Sequence, residues 1–214
     1  VLGQPVHRLL GGAVRDEIAY FGFVQGDGPE EVAAHARDLA GQGFEVIYLK
    51  VGRGDALDLA NTQAVRAAIG GRRLRVDANE AWDTLTARRM IALLAPFDLE
   101  FVEQPAPAES PSALGRLRRA SPVPIAADQL VMTPQDVFET CRHEAADLIV
   151  LGIHEAGGLL GWRKAAAVAE AAGLNVCLHG VYESGITTCA SNQVAATVAN
   201  LDDGNQIMAQ LLAE

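Results

Sequence analysis

Two kinds of apolar pattern alternate along the chain. Short, nearly continuous apolar runs recur as EVIYLKVG, LRVDAN, LEFVEQP, PIAADQ, DLIVLG and NVCLHG. Each reads as a strand buried on both faces. Longer stretches with helix signals separate them. One opens at Pro29 with Glu30 and Glu31 and runs to about Gln42, with proline in the first turn and acids at the positive helix end. The next is predicted over Asp55 to Ile69. A β-rich run, EIAYFGFV (17–24), precedes these units, and a weaker strand is predicted at GNQIM (204–208).

Regular strand–helix alternation implies a parallel sheet covered by helices. Lys50, Asp77, Glu103, Asp128, Gly152 and His179 lie near successive strand ends, at spacings of 27, 26, 25, 24 and 27. With the run at 17–24 counted there are eight strands. The expected fold class is therefore α/β, a TIM-type (β/α)7β barrel, in one domain over residues 1–214. A doubly wound open sheet is the alternative. It usually carries a glycine-rich phosphate loop after its first strand, and QGDGPEE matches that fingerprint poorly.

Composition narrows the functional classes. A net charge of −10 argues against a nucleic-acid surface, which needs clustered Lys and Arg. An anionic substrate would need a local positive site, such as a metal, to enter this field. No apolar run approaches the length of a membrane span, and no charged-then-apolar leader is visible. Cys141, Cys177 and Cys189 are odd in number and lack metal-type spacing, so they are expected to be reduced and mostly buried. A cytoplasmic location follows as an expectation. The chain starts at Val1, in a segment with Gly and Pro, and reads as a piece of something longer.

In a parallel barrel all strands point their C-terminal ends at one face, where active sites collect. Asp77, Glu103 and Asp128 would sit there on three consecutive strands. Each could cap the helix that follows. Together they would crowd like charges unless a cation joins them, and carboxylate-only ligation suits Mg²⁺.

The motifs YLKVG, VDANEAW, FVEQP, AADQ, HEAGGL and ESGI, in this order, resemble the mandelate racemase and muconate lactonizing branch of the enolase superfamily. The resemblance covers nearly the whole chain. It implies that Asp77, Glu103 and Asp128 are Mg²⁺ ligands and that Asn79 lies beside the metal as a further ligand-shell or substrate contact. It also implies abstraction of a proton next to a carboxylate, with the charge that develops stabilised by the cation.

Lys50 matches the second Lys of the family's Lys-x-Lys motif and is the natural base; alternatively it is a structural cation for the carboxylates. Tyr48 stands where the first Lys is usual, which removes a positive charge beside Lys50. Tyr48 is then a candidate substrate contact or a member of the acid/base set. On the opposite face the match weakens. The muconate-lactonizing pattern ends the sixth strand with a Lys, and the mandelate racemase pattern places there an Asp that pairs with a His on the seventh. This chain has Gly152 at that position. His179 is the best candidate for the second-face acid, against a role as a satisfied core residue. His154 reads as a plain loop residue, and Glu183 as a candidate substrate contact or an N-terminal helix acid.

The expected function is a Mg²⁺-dependent lyase or isomerase acting on a small carboxylic acid. Dehydration of a hydroxy acid or acid sugar comes first, with cycloisomerase and then epimerase as alternatives. A barrel retained for binding without turnover is the rival. The resemblance implies a separate capping domain that selects the substrate, built from segments this chain is expected to lack, and a homo-oligomer.

Overall fold

A computed structural model describes residues 2–180 and 184–207. In chain order the elements are Val6–Leu9 (α1), Gly22–Phe23 (β1), Pro29–Gly41 (α2), Val46–Lys50 (β2), Asp55–Ile69 (α3), Arg73–Asp77 (β3), Thr84–Leu94 (α4) and Leu99–Glu103 (β4). They continue with Pro111–Ala120 (α5), Ile125–Ala127 (β5), Pro134–Arg142 (α6), Leu148–Leu151 (β6), Leu159–Ala171 (α7), Asn175–Leu178 (β7) and Gly185–Ala195 (α8). Proline near the first turn starts α2, α5 and α6, where its missing N–H costs nothing. Thr133 and Asp136 close a capping box at α6.

The seven strands of the described residues are parallel and neighbour one another in sequence order. They curl into a half-barrel. Alternate residues divide between two cores. Ile47, Leu49, Leu74, Val76, Val102, Ile125, Ile149 and Leu151 pack outward with Val65, Ile91, Val137 and Trp162 of the helices. Phe101, Ala126, Leu148, Val150 and Cys177 fill the interior, with Phe21, Val46 and Tyr48 beside them. A register shift at Leu74/Arg75 sets Arg75 opposite Phe101, which leaves Glu100 as the extra residue of β4.

The eighth strand expected at 204–208 is not a strand among the described residues. Leu201 and Asn205 make single bridges instead, to Val176 and to Tyr20. Gly204 has φ +73°, which breaks the pleat. The buried Asn205 amide substitutes for a ladder: it accepts from Leu178 N at 2.8 Å and donates to the carbonyls of Ala19 and Asp202. Residues 200–206 thus bridge the two edges of the half-barrel. The first strand is likewise shorter than the expected 17–24, because regular pairing is confined to Gly22 and Phe23. The three thiols are free, but Cys189 is exposed rather than buried. Among the described residues no helix is long and apolar enough to cross a membrane.

Candidate metal centre and active site

The strand ends bring the acids together by register. Lys50 pairs with Asp77, and Asp77 with Glu103, across neighbouring strands. Asp128 lies just past β5. All three carboxylates are at most 6% exposed. The Tyr48 hydroxyl donates to Asp77 Oδ2 at 2.6 Å and lies 3.1 Å from Glu103 Oε1. Its ring stacks on Phe21, 4.3 Å between centroids, which fixes where the hydroxyl points. Lys50 shares that strand face. Its ammonium donates to Asp77 Oδ2 and to Asn79 Oδ1.

The loops after the strands are tied as tightly as the strands. Asn79 takes φ +43°, a left-handed value that asparagine tolerates, and its N–H donates to Asp77 Oδ1 at 2.7 Å. Gly52 has φ +90°, and a Cβ there would press into Ala81, so the loop after Lys50 packs directly on the loop after Asp77. The fully buried Gln104 accepts from the backbone N–H of Asp128 at 3.0 Å and donates to Ala106 O at 2.8 Å. Gln129 donates to Asp128 Oδ2 at 2.6 Å.

Charge at this mouth is unbalanced. Burial, then the nearby Asp77 and Asp128, push the Glu103 carboxyl well above the usual carboxylate range. Burial and Asp77 push Asp128 up to about 8, against the opposing pull of Lys50. The Tyr48 phenol is also raised, by burial first and then by Asp77 and Glu103, so it stays a hydrogen-bond donor. Burial lowers the His179 imidazole, opposed by Glu155.

Two carboxylates and an imidazole form a donor set that could hold a divalent cation, and Asp77 stands outside it. Glu103, Asp128 and His179 each offer an atom within 4.8 Å of one another. His179 Nδ1 lies 3.2 Å from Asp128 Oδ1 and, although buried, makes no hydrogen bond among the described residues. Asp77 is turned toward Tyr48 and Lys50, beside Glu103. Carboxylates raised first by burial and then by one another mark a site that a cation would relieve.

The structure therefore gathers Tyr48, Lys50, Asp77, Asn79, Glu103, Asp128 and His179 at one mouth. Glu183 and its neighbour Tyr182 lie outside the described residues. Two participants were not singled out by sequence reasoning. Gln104 could have been suspected from its place inside FVEQP. Glu155, whose carboxylate approaches His179 Nε2 at 3.5 Å, comes from a loop whose fold no local pattern announces.

Comparison with known proteins agrees with this geometry. The family model described as "Enolase C-terminal domain-like" matches residues 31–212. Muconate cycloisomerase 1 of Rhodococcus opacus is 37% identical over 216 residues, covering 99% of this chain and 57% of that protein. The crystal structure of muconate cycloisomerase from Pseudomonas fluorescens superposes with a TM-score of 0.94 at 33% identity, covering 99% of this chain and 59% of that one. A dipeptide epimerase from Cytophaga hutchinsonii, complexed with Mg and the dipeptide D-Ala-L-Val, gives a TM-score of 0.89 at 29% identity, over 94% of this chain and 55% of that one. The chain thus spans little more than half the length of the relatives it matches. Strand order, mouth geometry and these matches agree: the chain belongs to the enolase superfamily, as a C-terminal-domain-like barrel of the mandelate racemase/muconate lactonizing branch.

Proposed function

We propose that these residues form the catalytic barrel of a Mg²⁺-dependent lyase or isomerase that removes the proton α to a carboxylate, with capping segments supplied by the rest of the protein. The observation that carries this reading is Lys50. Among the described residues it is the one Lys or Arg that forms an ion pair with any of the three buried acids, through Asp77. It stands with its side chain 37% exposed at the edge of their cluster. Asp77, Glu103 and Asp128 hold the cation in this reading. When bound, it supplies positive charge opposite the substrate carboxylate, where negative charge builds as the α-proton leaves.

Lys50, as the neutral amine, takes the α-proton from one face and becomes the ammonium, while the C–H electron pair moves toward the carboxylate. Asn79, which accepts from Lys50, orients its amino group. Tyr48 donates to Asp77 and holds it in place. In a dehydration, His179 then gives a proton to the departing β-hydroxyl, which leaves as water. The placement of His179 against Asp128, and hence at the same mouth as Lys50, supports that assignment. Cycloisomerisation is the second reading, favoured by Gly152, which leaves Lys50 as the one Lys at the described strand ends, and by the two cycloisomerase relatives. Epimerisation comes third, because it requires a base on each face.

The test is turnover of a carboxylic-acid panel by the full-length protein with Mg²⁺, followed by α-proton exchange in deuterium oxide. Lys50→Met should stop both exchange and turnover, by about a hundredfold or more. His179→Asn should stop β-hydroxyl loss and leave exchange intact. Full turnover by His179→Asn would move the assignment to cycloisomerisation. Absence of turnover across the panel would leave a binding barrel without chemistry.

A further inference from the structure

Gly152 directly follows the sixth strand, two residues after Val150, which faces the inner core. Its backbone does not need glycine, since Gly152 is absent from the positive-φ residues. The reason lies in space. A Cβ at 152 would fall on Glu155 Oε2, 3.0 Å from Glu155 Cδ and 3.3 Å from His154 Cε1. The turn that carries Glu155 folds back tightly over this point, with Ala156 N donating to Gly152 O at 3.2 Å and Gly158 N to Ile153 O at 2.6 Å.

We propose that Glu155 is the positioning residue for the second-face histidine, and that Gly152 is the seat cut for its carboxylate. This rests on the reading above that gives His179 a role as proton donor. Glu155 Oε1 lies 3.5 Å from His179 Nε2 and 3.1 Å from His154 Nε2. One carboxylate oxygen therefore faces two imidazoles, while the other, buried and without a hydrogen-bond partner among the described residues, sits over the glycine. A carboxylate beside Nε2 keeps the resting proton on that nitrogen, so Nδ1, which faces the mouth against Asp128, is the nitrogen that takes up a proton and passes it to the departing hydroxyl. A carboxylate on one ring nitrogen fixes the tautomer and aims the other. A loop glutamate thereby does what a side chain on the sixth strand does not do here. Glutamate at 155 and glycine at 152 form one coupled device.

The coupling predicts how each position responds. Gly152→Ala presses on the free end of a flexible side chain, so the barrel should fold and the carboxylate should be expelled. Glu155→Ala removes the carboxylate and leaves the seat empty. In the full-length protein labelled with ¹⁵N-histidine, long-range ¹H–¹⁵N spectra at one fixed pH should show His179 in the Nε2–H form. Both variants should lose that preference. On whichever acid of the panel turns over, each should lower kcat about ten- to a hundredfold with KM within about twofold, and the double variant should be no worse than either single one. Retention of the Nε2–H form by Glu155→Ala overturns the positioning role. An unchanged spectrum and kcat in folded Gly152→Ala overturns the seat. The tautomer readout needs no substrate, so a protein that turns over nothing in the panel defeats the functional reading while the spectra still decide this one.

Discussion

The floor and the mouth of the barrel each bury charge, and they handle it in opposite ways. At the floor Arg75 is 1% exposed. It donates to Glu100 at 2.6 Å, to Asp202 at 3.2 Å and to the carbonyls of Asp203 and Gly204 at 2.7 Å, with its guanidinium 4.6 Å from the Phe101 ring centroid. Arg73 adds a second cation near Glu100 and Asp203. Every charge there has a partner. At the mouth three buried carboxylates share one lysine, and two of them are pushed toward protonation by burial and by one another. A compensated cluster stabilises a fold, whereas an uncompensated one is a site held ready for a ligand of opposite charge.

That contrast can be broken at the floor first. Arg75→Met leaves the half-buried Glu100 and Asp202 with Arg73 as their remaining cation, and should cost about 2–3 kcal/mol in chemical denaturation. A loss within the noise of a surface substitution would mean the floor is not held by charge.

The mouth should respond to pH in the direction its raised carboxylates dictate. Asp128 titrates at about 8 in the fold, against 3.8 for an ordinary aspartate. Between these values the folded state holds a proton that the unfolded chain has lost. Stability therefore falls as pH rises through that window and levels off above it. Protein stripped with EDTA should melt at a higher temperature at pH 6 than at pH 8.5, and saturating Mg²⁺ should weaken that dependence. A melting temperature that rises with pH in EDTA would contradict the crowding at the mouth.

The smallest effect is the reverse of the floor's. Glu103→Gln removes one of the crowded charges, and without divalent cations it should raise stability by about 1 kcal/mol, read from the same denaturation curves. Losing a carboxylate should help at the mouth and hurt at the floor, where Glu100→Gln would weaken the Arg75 cluster.

The sequence carried more of the mouth than of the floor. Lys50, Asp77, Glu103, Asp128 and His179 were legible because a parallel barrel repeats one unit, so strand ends recur at nearly constant spacing and point one way. Helices such as Asp55–Ile69 were legible for the same local reason. Arg75 was not, because its partners Glu100 and Asp202 meet it only through a register shift and a distant loop. The expected eighth strand failed where Asn205 replaced ladder bonds with side-chain bonds, which a hydrophobicity pattern cannot see. Gly152 looked like a loss, a strand end without its functional side chain. The space around it shows a carboxylate arriving from the next turn.

The central claim is that the mouth is a cation site built from Asp77, Glu103 and Asp128. Calorimetric titration of the full-length protein with Mg²⁺ tests it most directly, comparing wild type with Glu103→Gln and Asp128→Asn. One Mg²⁺ should bind per chain in wild type, with at least tenfold weaker binding in each variant. Binding of equal strength in all three proteins would place the cation elsewhere and contradict it.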